Sequence, residues 1–401
     1  MSAPARRAAA RSGGLSAEDL DGLSAALAAA APAADASGAF PWEGVRAVHA
    51  SGALEAPVGR RYGGAGASLV ETARILTALG RGDPSVALIA AMTMFTHHRQ
   101  AEGDLWPEPL YHRILAEARA QPVLINAARV EPDLGSPARG GLPETIARRT
   151  ARGWSISGTK RFVTGSTGLT YLIVWARTDE SPARVGSFVV PGSAPGIEVR
   201  ETWRSLGMRA TCSHDVEFSE VEIPHEDVLG LVESGLGQQD NRLGAASGLA
   251  LTALYLGAAR RLQEGFLRFA HERVPGNLGH PLARTERFIG LAGEIDLLIS
   301  GAEQLIFQNL EQAADQPEAL LRARILAGRQ ILGAARLAVG ALGNPGLSAD
   351  NDLERPFRDL QSTLVHAPQE DVVLAMLGRA SFAASAPPPQ ALPASRIGLT
   401  A

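Results

Sequence analysis

The stretch GWSISGTKRFVTGS, residues 153–166, decides the fold of this chain. Its β-branched and aromatic residues alternate with polar ones, and glycines and serines bound it, as is typical of a β-strand. Further short β-rich runs follow, among them YLIVWART, VGSFVVP and DVEFSEVEIP, at spacings near those of a small sandwich or barrel. Residues 122–232 are therefore predicted to form a central β-domain.

Helical patterns lie on both sides of this region. Residues 16–121 are rich in Ala and Leu at helical spacing, as in LVETARILTALGRGDPSVALIAAMTMFTHH, and Gly and Pro interrupt the period. Over residues 233–383 long helical periods return, each with an apolar stripe wide enough to pack in a bundle. The predicted order is α, β, α, with a disordered N-terminus at 1–15 and a Pro/Ala-rich tail at 384–401 that cannot hold a regular element.

Composition favours a small-molecule partner. The 401 residues carry a formal net charge of −4, with 38 Lys+Arg against 42 Asp+Glu spread along the chain. No basic face therefore indicates nucleic acid or an anionic membrane. The single cysteine, Cys212, excludes an internal disulfide and leaves no Cys pair for a metal site, which fits a reducing compartment. No apolar signal region or run of about 18 apolar residues is evident, so we expect a cytoplasmic protein that does not span a membrane.

The familiar chemical motifs are missing from the sequence. It contains no Walker loop, no GxGxxG after a strand, no HExxH and no GxSxG. The loop ARVEPDLGSP at 128–137 instead places an acid, a Pro turn, a glycine and Ser136 before the strand that ends with Phe162 and Thr164. Taken alone, this pattern is also that of a structural loop and hairpin.

Taken in order, these segments resemble the acyl-CoA dehydrogenase superfamily. VEPDLGSP and GTKRFVTGS stand where that family has a TEPxxGSD-like loop and a GxKxWITNG-like strand, which wall off one side of a flavin. PGIEVRETWRSLGMRATCSHDVEFSEVEIPHEDVLG matches the family's run from a PG turn through lGMR to a VP exit. The resemblance covers roughly residues 62–379. It implies an α+β, acyl-CoA dehydrogenase-like fold with an N-terminal helical domain, a central β-domain and a C-terminal four-helix bundle.

The resemblance also implies a flavin cofactor, FAD or alternatively FMN, and residues that contact it. A flat ring with one polar edge needs an apolar plate and a few donors. Phe162 matches the family's stacking tryptophan, although core packing is its other interpretation, and Thr164 matches the hydroxyl residue near the reactive nitrogen. Val130 stands where the family often has threonine. The side-chain hydrogen bond of threonine is therefore lost, and a hydrogen bond from the backbone is retained. Ser136 is expected on the flavin or substrate side.

A later segment resembles the family's phosphate contact. HERVPGNLGHPLARTERF at 271–288 is similar to RxQFGxPIxxFQ, whose arginine holds the FAD pyrophosphate of a neighbouring subunit. Arg273 is the matching residue, and a guanidinium suits two phosphate oxygens at once. The segment is longer than usual, and the family glutamine is Glu286 or absent, so a solvated surface arginine is the alternative. The match implies a homo-oligomer, a dimer or a tetramer. ALGNPGLSADNDLERPFRD resembles the family's Gly-rich segment that runs past the adenine side of FAD, before an RD pair at Arg358 and Asp359.

The base of the dehydrogenases has no carboxylate counterpart. Removal of a proton next to a thioester carbonyl is best done by a carboxylate. Laying RDLQSTLVHAPQ over the family's RDxxxxxIYEGT puts His366 on the tyrosine and Ala367 on the glutamate. In a minority of the family the glutamate lies ten residues before a glycine, and counting back from Gly257 reaches Ser247, followed by Gly248.

The segment RDLQSTLVHAP is closer to RNxRTHTLHDP of the flavin monooxygenase branch. We therefore expect a monooxygenase with His366 as acid/base, because imidazole titrates near neutral pH. Its partners would be a small-molecule or acyl-thioester substrate, molecular oxygen and a flavin reductase. A second histidine of that branch falls at Thr93, and whether His97 or His98 reaches the flavin stays open.

Three alternatives remain at this stage. His366 is alternatively a helix-end histidine bonded to backbone. The enzyme is alternatively a dehydrogenase or oxygenase acting on an acyl-CoA or carrier-bound thioester, with a base elsewhere in the chain. The chain is alternatively a catalytically silent flavin-fold scaffold that binds a partner.

Overall fold

The computed structural model describes residues 14–103, 105–134, 141–233, 241–313, 315–366 and 368–385. The N-terminal part is helical, with α1 (Ala17–Ser37), α2 (Trp42–Ser51), α3 (Leu69–Gly82), α4 (Pro84–Glu102) and α5 (Glu108–Ala118). Ser16 and Ser68 begin α1 and α3 with reciprocal capping boxes. Asp83 caps α4 by accepting the N–H groups of Ser85 and Val86, and Pro84 is the first residue of that helix.

The central part is an eight-stranded sheet in the order β6-β7-β3-β2-β4-β5-β8, with β1 also paired to β4. The strands are β1 (Ile125–Ala128), β2 (Ile146–Arg149), β3 (Gly153–Val163), β4 (Tyr171–Thr178), β5 (Arg184–Pro191), β6 (Ile197–Arg200), β7 (His214–Pro224) and β8 (Val228–Glu233). Strands β1 and β2 run parallel to β4, and the other pairings are antiparallel. Buried positions recur along β4, as expected for a strand with one face on the core.

The C-terminal part consists of α6 (Asn241–Glu272), α7 (Glu286–Gln312), α8 (Pro317–Leu342), α9 (Glu354–Leu360) and α10 (Glu370–Ser385). Helix α6 is its central member and is also packed against α3. The two backbones touch at paired glycines: a Cβ on Gly80 would lie 2.0 Å from the carbonyl oxygen of Leu254, and one on Gly257 2.0 Å from that of Thr77. Only glycine permits this approach, which fixes the N-terminal helices on the bundle.

The predicted fold class is confirmed: helices, then a sheet, then helices, joined by one large apolar core. The predicted domain boundaries stay a prediction. Helix α8 is apolar enough by length and composition to span a membrane, counted over its most apolar 18-residue window. Half of that window is buried, because α8 packs against α6 and α7, as a core helix of a bundle does.

Candidate functional site

A buried ion pair joins the two segments that the sequence singled out. Lys160 on β3 donates to Oε1 of Glu131 at 2.6 Å, and the two side chains are 0% and 1% exposed. Glu131 also accepts the backbone N–H groups of Glu144 and Thr145 and the Thr145 hydroxyl. Burial opposes the charge on Glu131, but these hydrogen bonds outweigh it and lower its pKa. The loop that contains Glu131 is therefore fixed on the strand that leads to Phe162.

Phe162 is an exposed aromatic residue in a strained backbone conformation. Its φ is 55°, and 54% of it is accessible, so the alternative of core packing does not hold. The Arg161 guanidinium lies 5.0 Å from its ring centroid, and the Trp203 ring meets it edge-on at 6.4 Å. A positive φ is unfavourable for an aromatic residue and persists where the surroundings enforce it, often at binding sites. The ring is thus held in position as an accessible plate.

Thr164 lies two residues after Phe162, and hydrogen bonds from neighbouring side chains fix its position. Its hydroxyl accepts from Ser213 at 3.1 Å, and its carbonyl accepts from the side chain of Asn126 at 2.9 Å. The Val130 carbonyl accepts the Arg161 N–H at 2.9 Å, so Val130 lies beside the same strand. The structure therefore brings Val130, Phe162 and Thr164 together. Ser136 lies outside the described residues.

A chain of contacts connects the region around Phe162 and Thr164 with α9. The Trp203 indole donates to the Met208 carbonyl at 3.1 Å, and the Met208 N–H donates to Asp359 at 2.5 Å. Asp359 is 2% exposed, and burial raises its pKa to about 7. Its neighbour Arg358 is paired with Asp35 and Glu354 and donates to the carbonyl of Leu206. The RD pair therefore fixes the loop of the β-domain on the C-terminal helices.

His366 lies beside the buried phenol of Tyr255. Its Nε2 is hydrogen bonded to the Tyr255 hydroxyl, and the ring centroids are 5.6 Å apart. Among the described residues, the partner of the imidazole is therefore a side chain. Burial lowers the pKa of His366 to about 4, and the charge of Arg324 adds to this effect. The ring is therefore neutral at neutral pH.

Arg324 fixes the backbone that carries His366. Its guanidinium donates to the His366 carbonyl at 2.6 Å and to the Pro368 carbonyl, and the residue is 7% exposed. Burial lowers its pKa to about 10. A Cβ placed on Gly248 would lie 3.6 Å from Cδ of Arg324 and 3.9 Å from Cδ of Pro368. The two segments that hold the base in the resembled family therefore meet here, and Ala367 itself lies outside the described residues.

The other predicted residues lie elsewhere. Arg273 is exposed just beyond the end of α6. Gly248 and Arg273 are 25 residues apart, which corresponds to roughly 38 Å along a helix, so Arg273 lies far from the segment that carries His366. Thr93 is buried and bonded to the backbone N–H and carbonyl of Ile125. His97 accepts or donates to the Tyr111 hydroxyl at 2.9 Å within a small apolar cluster, and His98 is buried as well.

Solved structures define the class of this fold. FMN-bound TdsC from Paenibacillus sp. A11-2 superposes with a TM-score of 0.81 at 20% identity, covering 92% of this chain and 98% of that one. A nitrososynthase from Micromonospora carbonacea var. africana gives 0.78 at 20% identity, with coverages of 92% and 98%. At these identities the likeness shows the shared fold alone.

The family follows from the sequence. Models of the acyl-CoA dehydrogenase N-terminal, middle and C-terminal domains match residues 22–100, 127–221 and 249–370. The putative acyl-CoA dehydrogenase YdbM of Bacillus subtilis (strain 168) is 29% identical over 355 residues, 87% of this chain and 91% of that protein. The chain belongs to the acyl-CoA dehydrogenase superfamily, whose members use a flavin.

The residues present fit a flavin. Phe162 offers an accessible aromatic plate, and Thr164 next to it offers a half-buried hydroxyl. Phe162 lies on β3, which the Glu131–Lys160 pair holds, and Thr164 lies in the turn just after β3, where the Asn126 amide bonds its carbonyl. A plate beside a few fixed polar groups is what a flat ring with one polar edge requires.

Proposed function

We propose that this protein is a flavin-dependent oxidoreductase that uses molecular oxygen, a monooxygenase, with His366 at the reacting centre. The supporting observation is the chemistry of the place where the dehydrogenases of the resembled family keep their base. Position 367 is alanine, positions 247 and 248 are serine and glycine, and a buried guanidinium lies against Gly248. Arg324 carries no ion pair to a carboxylate within the residues that the structure describes.

Physical chemistry disfavours α-proton abstraction at such a site. A base must accept a proton, but burial and the charge of Arg324 lower the pKa of His366 to about 4. An imidazole with that pKa accepts a proton poorly at neutral pH. Oxygen insertion does not need a carboxylate next to the substrate carbonyl, so it is compatible with this environment.

The chain would hold the flavin between the sheet and the C-terminal helices. Phe162 would contact the ring, Thr164 would bond its polar edge, and Ser136 would lie on the flavin or substrate side. Arg273, accessible at the far end of α6, would bind phosphate in a second subunit of a dimer or tetramer. The bound flavin would supply the redox chemistry, with electrons from a flavin reductase and oxygen as the oxidant.

A second candidate is an acyl-CoA dehydrogenase. The relationship to YdbM over most of both chains favours it. It requires a base at a position other than 247, 248 or 367.

Anaerobic mixing separates the two candidates. The purified, flavin-loaded protein is mixed with a series of acyl-CoA thioesters, and the visible absorbance of the flavin is followed. A monooxygenase keeps the flavin oxidised. When supplied with NADH and a flavin reductase, it transfers label from isotope-labelled oxygen to a product in a panel of phenols, amines and thioesters. Rapid bleaching by one acyl-CoA without oxygen would show a dehydrogenase. Protein that binds neither FAD nor FMN on titration would be a scaffold.

A further inference from the structure

The contact between Tyr255 and His366 fixes the position of the imidazole proton. Tyr255 is 2% exposed on α6, and its hydroxyl has Nε2 of His366 as its hydrogen-bond partner among the described residues. A buried hydroxyl requires an acceptor, and a phenol is the natural donor of the pair. The Nε2 lone pair then receives the phenol proton. A neutral ring in this arrangement carries its own proton on Nδ1.

The surroundings keep this tautomer and prevent a second protonation. The positive guanidinium of Arg324 bonds the His366 carbonyl, so a cation stays close to the ring. Burial and this charge hold the pKa of His366 at about 4, and burial raises the pKa of Tyr255 well above its usual value. Neither group therefore changes its charge near neutral pH.

Nδ1 is the ring nitrogen of His366 that does not face the phenol. Nε2 faces the buried phenol, and within the part of the chain that the structure describes no hydrogen bond to Nδ1 is found. His366 is only partly buried, whereas Tyr255 is fully buried. The N–H group on Nδ1 is therefore the donor of the ring that is left for a ligand.

We propose that His366 works as a neutral hydrogen-bond donor through Nδ1–H, with Tyr255 as its positioning residue and Arg324 as a fixed positive charge. The arrangement suits a substrate that already presents an anionic oxygen, such as a phenolate, because a neutral N–H group donates to that oxygen without having to take up a proton. A neutral imidazole held as a donor by its environment is an established way to polarise an oxygen. The inference rests on the proposed function for the place of the substrate, but the state of the ring can be measured without turnover.

The tautomer is tested by nitrogen NMR of protein labelled at histidine, loaded with flavin and assigned with His366→Gln. At neutral pH His366 should show a protonated Nδ1 and an unprotonated Nε2. Tyr255→Phe keeps the aromatic ring but removes the donor, so the Nε2–H form should gain population. Tyr111→Phe is the matched control, because Tyr111 makes the same kind of buried contact with His97. An Nε2–H form in the unmodified protein would overturn the proposal, whether or not flavin binds.

The donor role is tested by comparing two substitutions. The amide nitrogen of Asn can stand near the place of Nδ1 and donate, but it cannot exchange a proton. His366→Ala should lower kcat by about 10²-fold, as for a lost donor to an anionic oxygen. His366→Asn should retain roughly ten times more activity than His366→Ala, and Tyr255→Phe should lower kcat with KM nearly unchanged. Equal losses in Asn and Ala variants that bind flavin normally would contradict the donor role and support acid/base chemistry. Absence of any oxidoreductase activity in the unmodified protein would instead refute the proposed function.

Discussion

The ammonium group of Lys160 lies 2.6 Å from Oε1 of Glu131, and both side chains are fully buried. This pair connects a loop to a strand 29 residues later, and the same strand ends at the exposed ring of Phe162. Burial lowers the pKa of Lys160 to about 8, against the opposing pull of the carboxylate. The position of the aromatic plate therefore depends on a buried charge pair.

Lys160→Met should destabilise the protein by about 3–5 kcal/mol, because it leaves the carboxylate of Glu131 buried without its cation. Urea unfolding measures this change. Arg148→Met is the matched control, since Arg148 pairs with Asp179 at the surface, where the two side chains are 65% and 37% exposed. That change should cost less than about 1 kcal/mol. Equal losses of unfolding free energy in the two variants would show that the buried pair stabilises the protein no more than a surface pair does.

Phe162→Ala should weaken flavin binding by about tenfold with little loss of stability, because the ring is 54% exposed. Phe162→Gly should bind flavin as weakly, but it should be about 1 kcal/mol more stable than the Ala variant, since glycine adopts a φ of 55° without strain. Flavin titration by fluorescence and urea unfolding give the two quantities. Unchanged flavin affinity in the Ala variant would remove Phe162 from the binding site.

The fold and the strand that carries Phe162 could be predicted because their signals are local. Residues 153–166 alternate as a strand should, and Phe162 and Thr164 stand two residues apart on it. The acid of the loop was visible in the sequence as well, but its partner Lys160 was not recognised. Pairing between distant segments leaves no periodic trace in a single sequence.

The surroundings of His366 could not be predicted, because its partners are remote in sequence. Tyr255 is 111 residues away and Arg324 is 42 residues away. One signal was available: Arg324 falls on the apolar stripe of α8, between Leu320 and Ile331, where a charged residue is unexpected. Composition and motifs therefore indicated the histidine but could not show that its ring is held neutral.

His97 and His366 should make the protein less stable as the pH falls from about 6.5 to about 4. Burial lowers the pKa of each imidazole to about 4, so the unfolded chain takes up these protons before the folded one does. This part of the stability is fully present above about pH 6.5 and is lost as the pH approaches 4. For the fully buried His97 the loss is on the order of 3 kcal/mol.

Two buried carboxyl groups oppose this trend. Burial raises the pKa of Asp359 to about 7 and that of Glu55 to about 8, so the folded state binds these protons first and gains stability as the pH falls from about 8 to about 4. The contribution of each histidine is therefore obtained by comparing a variant with the unmodified protein. The free energy of unfolding of His97→Gln and of His366→Gln is measured in urea between about pH 7 and about pH 4.5. Each variant should lose less stability than the unmodified protein over this range. Parallel curves would contradict the lowered pKa values.

Ser247→Glu should introduce a base where positions 247, 248 and 367 offer no carboxylate. Position 247 is 8% exposed on α6 and is followed by Gly248, beside the guanidinium of Arg324, whose charge would keep a new carboxylate ionised. Under anaerobic conditions this variant should be bleached by an acyl-CoA thioester that leaves the flavin of the unmodified protein oxidised. Ser247→Gln is the control for size, and it should stay oxidised because an amide cannot take up the proton.

Comparison of the unmodified protein with the Ser247→Glu and Ser247→Gln variants shows which step of the argument fails if the prediction is not met. Bleaching of the unmodified protein to the same extent would mean that a base already exists elsewhere, which contradicts the proposed monooxygenase. Bleaching of the Gln variant as fast as the Glu variant would mean that the substitution acts by reshaping the pocket. If flavin binding is retained and the Glu variant stays oxidised with every thioester, position 247 does not reach the substrate. Bleaching confined to the Glu variant would show that the missing carboxylate is what separates this site from a dehydrogenase.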